Sequence, residues 1–330
     1  MDQTPPVAVI MPVLNEEQHL AESVAAITGQ DYPGDLQIAL ALGPSTDRTD
    51  EVAAELQTRD PRIVLVPNPT GRTPAGLNAA LAATQHPIVV RVDGHALLPS
   101  DYISTSVSVL QRTGADNVGG VMAAEGVTDF ERAVACAMRS PLGVGAASFH
   151  TGGQEGPALT VYLGAFRREA IERVGGYDEA YVRAQDWEMN HRIRQSGGVV
   201  WFTPDMAVTY RPRSTVRALA KQYSHYGRWR REIMRQHSET VSLRYLAPPA
   251  AVATMTAGAV LAAVGTAGGR RHAWLGLLPA LGYAAAVTAG GWLISAGEPP
   301  EVRARVPLAL ATMHMSWGAG FLTSPGDLRT

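Results

Sequence analysis

The sequence predicts an α/β fold built on a mostly parallel sheet, followed by a helical membrane region. Between Val7 and about Phe202, short β-branched runs alternate with amphipathic stretches, roughly every 25 to 30 residues. After Tyr210 the chain becomes basic and then strongly apolar. These changes outline a domain over residues 1–210, a basic amphipathic membrane-interface segment over 211–246 and a hydrophobic region over 247–330.

Five apolar runs predict the strands of this sheet: Val7–Met11, Leu36–Leu42, Ile63–Val66, Ile88–Val92 and Asn117–Val121. Helices are expected between them. Asn15 is the predicted cap of the first helix, whose buried stripe contains Leu20, Val24 and Ile27. Ser45 or Asp47 is expected to cap the second, and the third and fourth are expected to open at Pro74 and Pro99.

The C-terminal third of the sequence is expected to associate with a membrane. Nine basic residues between Arg211 and Arg244, against two acidic ones, suit an anionic membrane surface. Three segments that lack charged side chains then follow, each with the ~20 residues needed to cross a bilayer. The sequence therefore predicts about three transmembrane or re-entrant helices, at Ala247–Gly269, Ala273–Gly297 and Val306–Pro325.

Composition excludes several classes of function. The formal net charge of -2 gives no global attraction to nucleic acid. Cys136 is the only cysteine, so no internal disulfide framework is possible, and a reducing compartment is expected. The segment Met1–Pro6 has no basic or apolar leader pattern, so we expect the N-terminal domain to lie in the cytoplasm, at the inner membrane.

Asp93 and His95 follow the fourth predicted strand, one residue apart. This edge of an open α/β sheet is where ligands bind, and a carboxylate and an imidazole together can hold a divalent cation. Taken alone, Asp-Gly after a strand is also typical of a turn. Three further motifs lie at strand ends or helix starts: Val9–Glu16, Gly43–Thr49 and Ala184–Asn190.

These motifs, in this order, resemble the inverting family 2 glycosyltransferases with a GT-A fold, over about residues 7–210. The resemblance assigns donor binding to the opening motif and the Ser-Thr-Asp loop, metal binding to Asp93 and His95, and the catalytic base to Asp186. The donor-side residues it implies are Pro12, Asn15, Glu16, Ser45, Asp47, Arg72, Asn78 and Asp93. Arg72 and Asn78 have the alternative role of fixing a loop.

Gly164 and the segment Gly175–Asp178, which includes Tyr177, are similar to the acceptor-side part of the family. The form Arg91–His95, with its hydrophobic C-terminal third, is most similar to the succinoglycan-biosynthesis type of membrane glycosyltransferase. The resemblance implies transfer of a sugar from a nucleotide-sugar donor, in this family commonly a UDP-sugar. The implied acceptor is a hydroxyl of a lipid-linked or polysaccharide molecule at the cytosolic membrane face, in cell-envelope or exopolysaccharide synthesis. The implied partners are this donor, this acceptor and membrane lipids, with no nucleic acid.

The chemistry of transfer explains the residue types. A divalent cation neutralises charge on the departing pyrophosphate, and an imidazole in place of a second carboxylate favours Mn²⁺ over Mg²⁺. Asp186 is the candidate base for the acceptor hydroxyl, and its helix-start position is expected to favour its ionised form. Glu188 is the competing base, although its spacing to Arg192 also predicts a surface ion pair. Trp187 either packs in the core or stacks on an acceptor sugar.

The sequence departs from the family pattern at two places. Leu42 stands where the family commonly has an acid that recognises the nucleobase, and a leucine cannot accept the base's imide proton. Gln222 is separated from Arg228 and Trp229 by five residues, unlike the Gln-x-x-Arg-Trp motif of processive relatives, which favours addition of single sugars. These three residues are expected on the acceptor side. Two alternatives stay open: a membrane-anchored binding or scaffold protein without turnover, and a nucleotidyltransferase.

Overall fold

A computed structural model describes residues 4–329 of the chain. Its contacts divide this range into two compact units, one formed by residues 4–123 and 152–210 and the other by residues 124–151 and 211–328. Residues 124–151 therefore group with the second unit although they lie inside the segment 1–210 that the sequence outlines. Most of what the sequence predicts for Met1–Pro6 falls outside the described residues.

Within residues 4–329, eight strands form one sheet, in the order β3-β2-β1-β4-β7-β5-β8-β6. The strands are β1 Val7–Val13, β2 Leu36–Leu42, β3 Ile63–Pro67, β4 Ile88–Arg91, β5 Asn117–Ala124, β6 Gly156–Pro157, β7 Tyr162–Arg167 and β8 Val200–Tyr210. Strands β1 to β4 are parallel to one another, and β7 runs antiparallel to both β4 and β5. The carboxyl ends of β1, β2 and β4 consequently meet at one edge of the sheet.

The helices of the first unit are α1 Leu20–Thr28, α2 Thr49–Arg59, α3 Thr73–Ala82, α4 Tyr102–Thr113, α8 Arg168–Arg173 and α9 Gln185–Gln195. Those of the second are α5 Asp129–Met138, α6 Pro141–Val144, α7 Ser148–Thr151, α10 Val216–Gln236, α11 Leu243–Ala267, α12 Leu278–Ile294, α13 Pro300–Arg303 and α14 Val306–Leu322. Short 3₁₀ turns at Ser238–Thr240 and Ala273–Leu277 precede α11 and α12.

The five predicted strands are all present, and their ends differ by at most a few residues. Three strands, β6, β7 and β8, were not predicted. Their sequences lack a clear signal, because β6 has two residues, β7 contains Gly164 and a terminal Arg167, and β8 is interrupted by the polar Asp205. All three come after the regular alternation of strands and helices has ended.

The predicted cap of the first helix is wrong. Helix α1 begins at Leu20, after His19, whereas Asn15 has a positive φ of 55° and lies in the loop before it. The predicted buried stripe is correct, since Leu20, Val24 and Ile27 are buried against the sheet. The buried stripe therefore predicted the face of the helix, but the chain makes an extra turn before the helix begins.

The second unit is helical and contains the basic segment. Arg231 and Arg235 of α10 donate hydrogen bonds to backbone carbonyls around the C-terminal end of α14, including those of Leu322 (2.8 Å) and Gly326 (3.2 Å). Part of the predicted basic surface thus neutralises the partial negative charge at a helix end.

Among residues 4–329, two helical segments are long and apolar enough to cross a membrane, Leu243–Ala267 and Ala273–Ile294. The third predicted segment forms α14, which has 17 residues and packs on α10. At the crossing, a side chain on Gly227 would come within 2.0 Å of the Trp317 carbonyl oxygen, so only glycine allows this approach.

Candidate active site

Arg91, the last residue of β4, joins the two carboxylates that the sequence singles out. Its Nη1 lies 2.7 Å from Oδ2 of Asp186, and its Nη2 lies 2.7 Å from Oδ1 of Asp93. The Arg91 side chain is only 5% exposed, whereas the two carboxylates remain about a quarter to a third exposed. A buried guanidinium therefore holds both carboxylates at the rim of one site.

The charges in this cluster affect one another. Burial alone would lower the pKa of Arg91, but the carboxylates of Asp186 and Asp93 raise that pKa, so the guanidinium stays charged. Burial raises the pKa of Asp186, the charge of Arg91 opposes this and the charge of Asp93 adds to it. The net direction is opposite to the effect expected from the helix start. A carboxylate with a raised pKa binds a proton more strongly, which suits a general base.

Three polar atoms of the cluster have no hydrogen-bond partner within the described residues: Nε of Arg91, Oδ1 of Asp186 and the hydroxyl of Tyr177. Burial, followed by the charge of Asp186, raises the pKa of Tyr177. Buried polar groups are nearly always paired, and an unmade bond of this kind costs about 1–3 kcal/mol. A substrate hydroxyl that reached these atoms would satisfy them.

Asn78 fixes the backbone of Tyr177. Its side-chain oxygen accepts from the Tyr177 N–H at 2.8 Å, and its side-chain nitrogen donates to the Tyr177 carbonyl at 2.8 Å. The same nitrogen also donates to Glu179 (3.1 Å). Asn78, expected on the donor side, thus holds the loop that carries Tyr177, which was its alternative role.

A second carboxylate accompanies the Asp93–His95 turn. Nδ1 of His95 lies 2.8 Å from Oε1 of Glu16, and a side chain on Gly94 would come within 3.0 Å of Glu16 Cγ. A carboxylate beside one ring nitrogen orients a metal-binding histidine and directs Nε2 to the metal. Asp93 and His95 therefore carry the oxygen and nitrogen donors that the sequence predicts for a divalent cation, and Glu16 lies where it can orient the His95 ring.

The loops after β1 and β2 are bonded to each other. Oδ1 of Asn15 accepts from the Thr46 N–H (2.8 Å), and the Asn15 N–H donates to the Ser45 hydroxyl (3.1 Å). Asp47 accepts from Thr49, whose hydroxyl is the main cause of a lowered pKa of Asp47. These side chains build the edge of the site.

The other predicted donor-side residues lie beside these loops. Pro12 lies within β1, beside Ala41 of β2. Leu42 ends β2, and its carbonyl accepts from the Asn68 N–H at 2.8 Å. Arg72 is exposed just before α3, and its N–H donates to the Thr70 hydroxyl at 3.1 Å.

Comparison with known proteins decides the family. Residues 8–175 match the model of the family described as glycosyl transferase family 2. The chain is 32% identical over 323 residues to the succinoglycan biosynthesis protein ExoA of Rhizobium meliloti strain 1021, covering 97% of this chain and 95% of ExoA. The chain belongs to glycosyltransferase family 2. The resemblance predicted from the ordered motifs is thereby confirmed.

Solved structures confirm the predicted GT-A fold. The mannosyltransferase PcManGT from Pyrobaculum calidifontis, in complex with GDP-Man and Mn²⁺, is similar with a TM-score of 0.59. The similarity covers 98% of this chain and 88% of that chain, at 21% identity. Residues 1–349 of S. aureus TarS are similar with a TM-score of 0.52 over 96% of this chain and 90% of that chain, at 14% identity.

Glu188, the competing candidate base, is not exposed. Its side chain is buried and paired with both Nε and Nη2 of Arg192, the latter at 2.7 Å. Arg192 also donates to the carbonyl of Gly176 at 2.8 Å. The i,i+4 pair predicted from the sequence is present, but it is buried and holds the Gly175–Gly176 turn, and is not a surface pair.

The remaining residues expected on the acceptor side contact other residues of the protein. Trp187 is buried and stacks on His191, with ring centroids 5.2 Å apart, which agrees with the core-packing alternative. Gly164 is buried in β7, where a side chain would come within 2.4 Å of Oδ1 of Asn117. Gln222, Arg228 and Trp229 lie on α10 of the second unit, and Gln222 donates to the Tyr226 hydroxyl at 3.0 Å.

Arg91 is the residue of this site that the sequence analysis missed as a functional residue. The signal was present, because an arginine interrupts an otherwise apolar strand just before Asp93. A charged side chain in a buried strand requires a charged partner. That argument predicts a carboxylate beside Arg91, but the sequence does not say which one.

Proposed function

We propose that this family 2 enzyme is an inverting glycosyltransferase that moves a sugar from a nucleotide-sugar donor to an acceptor hydroxyl. The arrangement that supports this proposal is the Arg91 guanidinium, which brings Asp186 and Asp93 to one site. One carboxylate serves the acceptor and the other serves the donor, so the two substrates meet at that guanidinium.

In the proposed reaction the acceptor oxygen attacks the anomeric carbon from the face opposite the nucleoside diphosphate. A bond forms between that oxygen and the anomeric carbon, and the bond from the anomeric carbon to the diphosphate oxygen breaks. The proton of the acceptor hydroxyl passes to the Asp186 carboxylate, and the nucleoside diphosphate leaves with the bonding electron pair. Arg91 binds Oδ2 of Asp186, so the carboxylate keeps its orientation.

We propose that Asp93 and His95 hold a divalent cation and that Glu16 orients His95. A cation bound there would neutralise the charge that develops on the leaving diphosphate. The donor set of oxygen and nitrogen favours Mn²⁺ over Mg²⁺, and the neighbouring PcManGT was solved with Mn²⁺. The Asn15, Ser45 and Asp47 loops form the donor side of this proposed site.

We further propose a lipid-linked or glycan acceptor, at the cytosolic face of the inner membrane, in exopolysaccharide or cell-envelope synthesis. The similarity to the succinoglycan biosynthesis protein ExoA along nearly the whole chain supports the pathway class. The two long apolar helices and the basic α10 support membrane association. The donor nucleobase is proposed to be uracil, recognised by a backbone carbonyl or by Asp47, since Leu42 replaces the family acid.

The experiment is a panel of UDP- and GDP-sugars supplied with Mn²⁺ to membranes that contain the protein, scored for release of nucleoside diphosphate. We expect one donor to give release that depends on added acceptor lipid extract. Membranes with the Asp186→Asn variant provide the background. If no donor gives release above that background, the enzyme proposal is wrong and the binding or scaffold alternative is favoured.

A further inference from the structure

The second unit contains a cavity of about 450 Å³. The helices around it are α6, α7, α10, α11, α12 and α14, together with the α6–α7 connection. Its walls are largely apolar and aromatic, and include Leu142, Tyr223, Tyr245, Met313 and Trp317. This volume lies in the range of sites that bind small molecules. A cavity of this kind, beside two apolar helices, suits an apolar chain.

One part of the cavity carries positive charge. The guanidinium carbons of Arg230 and Arg244 lie 4.1 Å and 4.5 Å from the ring centre of Tyr245, which lines the cavity. None of the lining residues within the described chain is acidic. Burial, with a contribution from the charge of Arg244, lowers the pKa of Arg230. An anion placed near Tyr245 would offset the repulsion between these two cations.

The helix that carries Arg244 adds to this positive field. Arg244 is the second residue of α11, a helix of 25 residues whose first turn contains no acidic residue. The N-terminus of a helix carries partial positive charge and unbonded N–H groups that favour anions. No side-chain hydrogen bond caps α11 at Ser242 among the described residues. The positive end of a candidate membrane helix thus lies beside an apolar cavity.

His150 supplies a polar atom at the same cavity. Its Nδ1 is buried and has no hydrogen-bond partner within the described residues. Burial lowers the pKa of His150 to about 4, so the ring is neutral near pH 7. The cavity therefore combines the Arg244 cation in its wall, a second cation (Arg230) beside the lining residue Tyr245, a neutral imidazole and apolar side chains, which together match an amphiphile with an anionic head.

We propose that this cavity binds the lipid part of the acceptor, an apolar chain that ends in a phosphate or pyrophosphate. The phosphate contacts Arg244 near Tyr245, with Arg230 adding positive charge beside that ring, and the chain lies against Leu142, Met313 and Trp317. The role of this lipid as an acceptor rests on the proposed function, whereas its binding does not. Bulk membrane phospholipid and free phosphate are the other sources of the same chemistry.

Binding is measured by isothermal titration of the full chain in phosphatidylcholine nanodiscs with farnesyl phosphate as the probe. We expect saturable binding of farnesyl phosphate, at least tenfold weaker binding of farnesol and no displacement by inorganic phosphate. Phosphatidylglycerol in the nanodisc should not compete. Equal binding of farnesol, or displacement by inorganic phosphate or phosphatidylglycerol at similar concentrations, would overturn the proposal.

Two variants test the location. Arg244→Gln removes an exposed cation of the cavity and should weaken farnesyl phosphate binding about tenfold, as expected for a lost charge-assisted bond. Ala251→Phe places a bulky side chain on the cavity wall and should abolish binding. Arg217→Gln, an exposed α10 residue that does not line the cavity, is the matched control and should bind normally. Unchanged binding in Arg244→Gln contradicts the proposal even if Ala251→Phe fails to fold.

The experiments can refute the proposed reaction and the proposed lipid-binding cavity independently. Farnesyl phosphate binding without nucleoside diphosphate release from any donor would refute the proposed reaction and leave the cavity assignment in place. Release in the presence of a lipid acceptor, with no farnesyl phosphate binding, would refute the cavity assignment alone.

Discussion

Arg91 and Asp186 form a salt bridge of 2.7 Å although they lie 95 residues apart in the chain. The other terminal nitrogen of the same guanidinium, Nη2, binds Asp93, which lies two residues after Arg91 in the chain. Through this residue a strand end and a helix start become one site. We infer that Arg91, which binds both the proposed base Asp186 and the proposed metal ligand Asp93, determines the relative positions of these two carboxylates.

Replacing Arg91 with lysine tests this positioning role. An ammonium group keeps the charge but cannot form the same two-armed contact with two carboxylates. We expect Arg91→Lys to lower kcat by roughly tenfold or more, about 1.4 kcal/mol of barrier, while donor affinity changes less. Arg62→Lys, which alters an ion pair with Asp60 away from this cluster, is the control and should behave like wild type. Equal loss in both variants would exclude a specific role for Arg91.

Removing the Tyr177 hydroxyl separates function from stability. The hydroxyl has no hydrogen-bond partner among the described residues, so Tyr177→Phe should not lower the free energy of unfolding and should raise it by up to about 1–3 kcal/mol. We expect a lower kcat/KM for the acceptor and an unchanged donor Kd, because the hydroxyl faces the charged cluster around Asp186. Thermal unfolding measures the change in stability, and acceptor titration measures the change in kcat/KM. Normal acceptor kinetics would show that this hydroxyl does not contact the substrate.

The pH dependence of transfer should report on Asp186. A base acts in its ionised form, and burial raises the pKa of Asp186 above its ordinary value of 3.8. Activity should therefore rise with pH through this raised pKa, so the acid limb of kcat/KM lies above the usual range of a carboxyl group. The measurement uses saturating Mn²⁺, and the limb should not move when the metal concentration is doubled. An acid limb at the ordinary carboxyl pKa would contradict the assignment.

The proposed metal site gives a prediction for Glu16. Chelation should abolish transfer, and Mn²⁺ should restore it more fully than Mg²⁺. Glu16→Gln should weaken Mn²⁺ affinity by roughly 10–100-fold, because the carboxylate beside His95 no longer orients the ring. Glu22→Gln, an exposed change on α1, is the control. Transfer that persists in chelator would remove the metal from the account.

The alternating strands and helices were predictable because each leaves a pattern of apolar residues within its own short segment of sequence. Strands β1 to β5 repeat an apolar run followed by an amphipathic helix, and the stripe Leu20, Val24 and Ile27 identified the buried face of α1. Strands β6 to β8 were missed because their residues pair with distant segments and have no periodic signal of their own. The membrane region was predicted from uncharged length alone, which did not indicate that α14 packs on the polar α10.

The sequence identified the two carboxylates of the site but did not predict which side chains contact them. Asp93 and Asp186 stood out by position, yet their common partner Arg91 is a tertiary contact that no spacing predicts. Asn15 was expected at a helix cap, but its positive φ and its bond to Thr46 come from the neighbouring loop. Glu188 has the expected helix spacing to Arg192, and only the packing shows that the pair is buried.

The most direct test of the account is the Asp186→Asn variant, assayed for sugar transfer and for donor binding in Mn²⁺. Loss of a general base should reduce transfer by roughly 100-fold or more, and the donor Kd should stay close to that of wild type. Asp50→Asn, which removes an exposed carboxylate at the start of α2, is the control and should change neither the transfer rate nor the donor Kd. If Asp186→Asn keeps most of its transfer activity, Asp186 is not the base and the central claim is wrong.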